Sequence, residues 1–171
     1  MRLSLRLAAL AAITMVGPVE AQNLASPRDT TRASFGGATV LIDYGRPSMR
    51  GRTIFGGLVP WDQVWRTGAN SATTLVTDKP LMIGSAMVPA GTYTLYTVPG
   101  EKAWKLVVNK QTGQWGTTYQ AAADLVRIDM KVEPVAAPVE MFTIELVPSG
   151  NQATLRLVWD RTAAVVPVMV H

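Results

Sequence analysis

Val126-Arg127-Ile128-Asp129-Met130-Lys131-Val132 reads as a β-strand from its alternation alone. Successive side chains of an extended chain point to opposite faces. Val126, Ile128, Met130 and Val132 therefore share one face, and Arg127, Asp129 and Lys131 share the other. Two further runs repeat the pattern: Phe142, Ile144 and Leu146 oppose Thr143 and Glu145, while Leu155, Leu157 and Trp159 oppose Thr154, Arg156 and Asp160. Pro148-Ser149-Gly150-Asn151 is a turn between these last two runs. An apolar face backed by a charged one marks antiparallel strands with a core on one side and water on the other. Arg127, Lys131, Glu145 and Arg156 lie on the charged face, where an opposite-charge pair across strands contributes about 0.2–1 kcal/mol.

Strands also precede this region. Thr31–Phe35 and Ala38–Tyr44 flank Gly36-Gly37, a two-residue hairpin signal. Thr73–Thr77 and Leu81–Ile83 are short strand candidates, Thr92–Val98 is rich in β-branched and aromatic residues, and Trp104–Val108 follows. Ala163–Val170 carries Pro167, which places it at a sheet edge. Leu58–Trp65 can make one or two helical turns with Pro60 at the first helical position, and Tyr119–Ala123 is a second short-helix candidate. About nine strands with turn punctuation, and no long amphipathic helix, predict an all-β domain. The expected form is an antiparallel two-sheet sandwich or jelly roll. No internal repeat, linker or second domain is visible, so residues 22–171 form one domain.

Residues 1–21 read as a signal peptide. Arg2 and Arg6 supply the positive start, Leu7 to Val16 the apolar core, and Val19-Glu20-Ala21 small residues at the cleavage positions. The apolar run is about half the ~20 residues of a spanning helix. The expected product begins at Gln22 and is periplasmic or secreted, with membrane contact only through a partner or an uncleaved N-terminal segment. Cleavage would remove Arg2, Arg6 and Glu20 from the chain's 16 basic and 12 acidic side chains, leaving a net charge of +3. That is too small a surplus to argue for nucleic acid.

The chain has no Cys, and its one His is His171. Cys nucleophiles, Ser-His-Asp triads and His or Cys zinc sites are therefore absent. No disulfide can hold the fold, so the core must do so alone. No phosphate-cradling glycine loop or calcium loop is present, and nothing calls for a cofactor or a metal. Catalysis would have to rest on carboxylates, Lys, Arg, Tyr or hydroxyls.

The densest concentration of chemistry lies between Arg46 and Thr74, with four arginines and two tryptophans spaced by Gly and Pro. Arg46, Arg50, Arg52 and Arg66 can each present a planar fork to a carboxylate, phosphate or sulfate. Trp61 and Trp65 are four apart and would share a face on a helical turn. With Asn70 they can wall a site for a flat apolar or sugar ring. A structural role competes strongly with this. Trp65 can plug the end of a sandwich, and Arg52 and Arg66 can cap strand ends or pair with Asp43, Asp62 and Asp78. Trp115 and Tyr119, around Gly116, are a second aromatic group on a loop, able to form a platform or to anchor that loop.

The same residues resemble a family. Arg46-Pro47, Gly51-Arg52, Ile54-Phe55-Gly56, Leu58-Val59-Pro60 and Val64-Trp65-Arg66-Thr67-Gly68-Ala69-Asn70 are similar to the signature of the domain-of-unknown-function 2911 family. So are Pro89-Ala90-Gly91-Thr92-Tyr93 with Leu95, Pro99-Gly100, Trp104, Asn109-Lys110 and Trp115-Gly116. The resemblance implies an exported bacterial β-rich domain and no particular activity.

Three readings of function follow. The first is a non-catalytic interaction module that binds a protein partner, or serves as a subunit of an envelope or membrane assembly, through the Arg/Trp segment. The second is a pocket for a glycan or small anionic ligand. The third is a carboxylate-based hydrolase. A flat Trp/Arg patch would favour the first, a concave pocket of about 300 Å³ or more the second, and two facing acids the third.

Overall fold

The computed structural model describes residues 26–171. The expected signal segment and its cleavage site lie outside the described residues. The chain forms β1 (Arg28–Phe35), β2 (Ala38–Gly45), β3 (Thr73–Thr77), β4 (Leu81–Ile83), β5 (Ala86–Val88), β6 (Gly91–Val98), β7 (Ala103–Asn109), β8 (Asp124–Ser149) and β9 (Gln152–Val170). A single 3-10 turn, Ala121–Ala123, falls within the second short helix expected from sequence. The first does not form. Leu58–Trp65 is a series of turns and isolated bridges, with left-handed backbone at Gly56 (φ 82°) and Asp62 (φ 58°) breaking any helical run. No helix among the described residues is long and apolar enough to cross a membrane.

All nine strands belong to one open sheet in the order β1-β2-β3-β6-β7-β8-β9-β4-β5, and every pairing is antiparallel. The expected separation into two sheets is absent because two pairs of sequence runs are each one strand. Val126–Val132 and Phe142–Leu146 are parts of β8, and the runs around Leu157 and Val166 are parts of β9. β8 pairs with β7 through residues 124–131 and with β9 from residue 131 onward. The ribbon bends where its register shifts, between Pro134 and Thr143, opposite Asp160 with its left-handed φ of 52°. Such bulges bend a strand and increase its twist.

The bend folds the sheet over, so all nine strands feed one apolar core. Pro47–Met49, just past β2, reach the far part of β8: Met49 N donates to Glu140 O at 2.8 Å and Phe142 N to Pro47 O at 2.9 Å. Tyr44 lies buried across the same gap, accepting a hydrogen bond from Ile144 N at 3.0 Å. Trp104, Trp159, Tyr96 and Phe142 are among the largest fully buried side chains. Each contributes at least the roughly 1.5–3 kcal/mol of a fully buried apolar side chain.

The Gly36-Gly37 hairpin forms as expected, with both glycines left-handed (φ 54° and 76°) and Phe35 opposite Ala38. On the charged face Arg156 pairs with Glu145 at 3.0 Å and Glu133 at 3.9 Å. Arg127 turns instead to Asp124. Ala163–Val170 is not a sheet edge, because β9 has β8 on one side and β4 on the other. Pro167 sits where pairing passes from Lys131↔Val165 to Ile83↔Val168, and its carbonyl accepts from Gly84 N at 2.8 Å.

Candidate functional site

The Arg46–Asn70 segment crosses one end of the folded sheet and is pinned to it by backbone. Asp62 N donates to Pro99 O (2.7 Å), Trp65 N to Thr97 O (2.7 Å), and Thr97 N returns a bond to Trp65 O (3.0 Å). Trp65 thus continues the sheet along β6 where β3 has ended. Beyond it the chain turns sharply. Thr67, Gly68 and Asn70 have φ of 52°, 149° and 63°. A β-branched residue in the left-handed region is strained. Thr67 is held there by burial, by its hydroxyl on Thr97 Oγ1 (3.1 Å) and by Thr73 Oγ1 on its carbonyl (2.7 Å). The turn carries Arg66 and Asn70 to a neighbouring loop, where Gly116 N donates to Asn70 O at 2.9 Å.

These segments enclose a pocket of about 480 Å³. Its wall includes Val59, Trp65 and Trp159, with Leu58 and Val64 exposed at its margin. Arg52, Arg66, Asn70, Tyr96 and Tyr119 supply the larger polar groups, and no carboxylate among the described residues lines it. Trp65 stacks on Trp159 with ring centroids 5.8 Å apart and meets Phe142 edge-on at 4.9 Å. It therefore both plugs the core and walls the pocket.

Arg66 donates from Nε to Gly68 O at 3.2 Å, and its terminal nitrogens have no hydrogen-bond or ion-pair partner among the described residues. Its stem lies against Gly116, where a Cβ would stand 2.8 Å from Arg66 Cδ and 2.7 Å from Asn70 O. Glycine at 116 is what lets Arg66 lie there. Arg52 donates to Met49 O (2.9 Å) and Ser48 O (2.7 Å), bonds that fix its own turn but leave its charge without a carboxylate among the described residues. Neither arginine pairs with the acids expected. Asp43 binds Arg28, Asp78 caps Thr39 N at 2.7 Å, and Asp62 forms no ion pair among the described residues.

Tyr119 closes another side. Its hydroxyl donates to Asp124 Oδ2 (2.6 Å) and accepts from Arg127 Nη2 (2.7 Å). Burial, then the bond to Asp124, raises its pKa above the ordinary tyrosine value. Tyr96 is held by donating to Thr118 O (3.0 Å) and accepting from Gln114 (3.1 Å).

Of the candidates read from sequence, Arg52, Trp65, Arg66, Asn70 and Tyr119 meet at this pocket. Arg46 does not. It braces β1 to β8 through Asp29 (3.0 Å), Phe142 O (3.1 Å) and Thr143 Oγ1 (2.9 Å). Arg50 sits on an exposed turn whose backbone N binds Glu140 Oε1 (2.9 Å). Trp61 stacks on Phe55 (6.1 Å) rather than sharing a helical face with Trp65. Trp115 is 52% exposed and bridges Ser71 through its backbone. Sequence reading missed Tyr96 and Trp159 as pocket residues, since both belong to distant strands and carry an ordinary core pattern.

No curated protein and no solved structure matches the chain. The family described as "Protein of unknown function (DUF2911)" matches residues 26–168, and the chain belongs to it.

Proposed function

We propose that this domain binds a small organic anion, with Arg66 and Arg52 taking its charged group and the Trp65 wall, backed by buried Trp159, its apolar or ring portion. The observation that carries this reading is a walled pocket that holds, among the described residues, two cations and no carboxylate. An arginine whose two terminal nitrogens have no partner among the described residues suits bidentate capture of a carboxylate, sulfonate or phosphate. The volume lies within the roughly 300–1,000 Å³ of small-molecule sites. A hydrolase that uses two carboxylates has no such pair in this pocket. The domain is taken to act after export, with residues 1–21 as its signal. Exposed Leu58 and Val64 at the margin, and exposed Trp115 nearby, support a second role in which a protein partner or envelope assembly seats on that face.

Fluorescence titration with anilinonaphthalene sulfonate, an amphiphilic aromatic anion, tests the binding reading. Arg66→Ala should fold and lose only about 1 kcal/mol of stability, because this partly buried arginine gives up one hydrogen bond, to Gly68 O, and its packing on Gly116. Its affinity for the probe should fall by about 2 kcal/mol, or roughly 30-fold. Equal probe affinity in Arg66→Ala and wild type, or a wild-type affinity that saturating phosphate leaves unchanged, would rule the pocket out as the binding site.

A further inference from the structure

Three methionines stand side by side across the other end of the strand order. Met82 of β4 is directly opposite Met87 of β5 and, on its other flank, directly opposite Met169 of β9. Directly paired residues share a face. Leu81 and Ile83 are buried, so Met82 faces away from the core, while Met87 is 52% and Met169 41% exposed. The same register continues past β9, where His171 N donates to Pro80 O at 3.0 Å. His171 lies two residues beyond Met169 and so falls on the same face. Three of the chain's eight methionines and its only histidine are thus gathered at one place.

Ordinary surface economy does not account for this row. β5 is an end strand of the sheet, and edges are commonly protected by charged side chains or proline. Here the outward positions hold thioethers. A thioether is a soft, neutral donor that selects Cu(I) and binds hard ions poorly, and imidazole also suits copper. Adjacent strands lie about 4.8 Å apart, so Met87 and Met169 flank Met82 with about 10 Å between their backbones. Methionine's three rotatable bonds allow both outer side chains to lean toward the middle one. The backbone beneath is set by ladders on both sides of β4.

We propose that Met82, Met87 and Met169, together with His171, form a Cu(I) site on the outer face of β5, β4 and β9. The site is separate from the anion pocket, and none of its four residues lines that pocket. Among the described residues no group of three or more His, Cys, Asp or Glu offers a competing site for a harder ion.

Anaerobic calorimetric titration of the full chain with Cu(I) tests the proposal, with Ag(I) as a redox-inert probe followed on the methionine methyl signals by NMR. One Cu(I) per chain is expected, and one equivalent of Ag(I) should move the Met82, Met87 and Met169 methyls but not Met141. Leucine conserves methionine's volume, so M87L/M169L should fold normally. Its Cu(I) affinity should fall by more than the roughly 10–100-fold lost when a mere outer-shell partner is removed. His171→Ala should weaken binding less, and M141L not at all. Unmoved methyls with Ag(I), unchanged Cu(I) affinity in M87L/M169L, or equal affinity of the wild-type chain for Zn(II) would overturn the proposal.

Discussion

Trp159→Ala is the sharpest test of how the fold is held. Trp159 is 1% exposed and packs against Trp65, Phe142 and Phe55, with ring centroids 5.8, 5.9 and 6.3 Å away. Its indole N donates to Glu140 O at 3.1 Å. That carbonyl also accepts from Met49 N at 2.8 Å, so truncation leaves no orphaned acceptor. The loss is therefore transfer free energy plus a cavity, about 3–5 kcal/mol for a buried aromatic. For a chain of 171 residues, each kcal/mol is worth about 2–4 °C, so the melting temperature should fall by roughly 6–20 °C. Urea denaturation gives the same quantity, with the midpoint shifted and the slope unchanged. A change near the roughly ±0.5 kcal/mol of surface substitutions would show that Trp159 does not face the core.

Other perturbations separate the site from its supports. Arg46→Ala should cost about 1–2 kcal/mol by cutting the brace from β1 to β8, leaving probe binding intact in calorimetry. Gly116→Ala places a Cβ against Arg66 and Asn70 O; it should cost about 1–3 kcal/mol as overpacking and weaken probe binding, measured on the same sample. Burial holds the Tyr44 hydroxyl above its ordinary pKa despite the bond from Ile144 N. The folded state then keeps a proton that the unfolded chain releases near pH 10, so this part of stability is present below about pH 10 and is lost as pH rises toward the folded pKa. Tyr44→Phe should flatten that alkaline decline in denaturation curves from pH 9 upward, and an unchanged slope would contradict it.

Strand content was legible because alternation is a direct image of the pleat. Ile128, Met130, Phe142, Ile144, Leu155 and Leu157 all face the core as their spacing implies. Connectivity was hidden because alternation does not report bends. In β9 the core-facing positions change from odd (Leu155, Leu157, Trp159) to even (Ala164, Val166, Val168) across Asp160. That change of phase reads as two strands in sequence, yet it is one strand with a bulge. β5 is three residues long and too short to show a period. At the site, Arg66 and Trp65 stood out because Arg, Trp, Gly and Pro are concentrated there. Arg46 stood out equally, but only the fold reveals that its guanidinium is spent on Asp29, Phe142 and Thr143. Gly116 matters through a contact with Arg66, fifty positions away, that no local pattern encodes.

The claim at the centre of this account is that a small anion sits between Arg66 and the Trp65 wall. Nitrogen–proton NMR reads both groups directly, through the Arg66 side-chain Nε–H and the Trp65 indole N–H, during titration with anilinonaphthalene sulfonate. These two signals should move together and saturate with one binding curve, while the Arg46 Nε–H signal, locked in its brace, stays in place. Saturable movement of Arg46 or of residues around β4 and β5, with Arg66 and Trp65 unmoved, would contradict it.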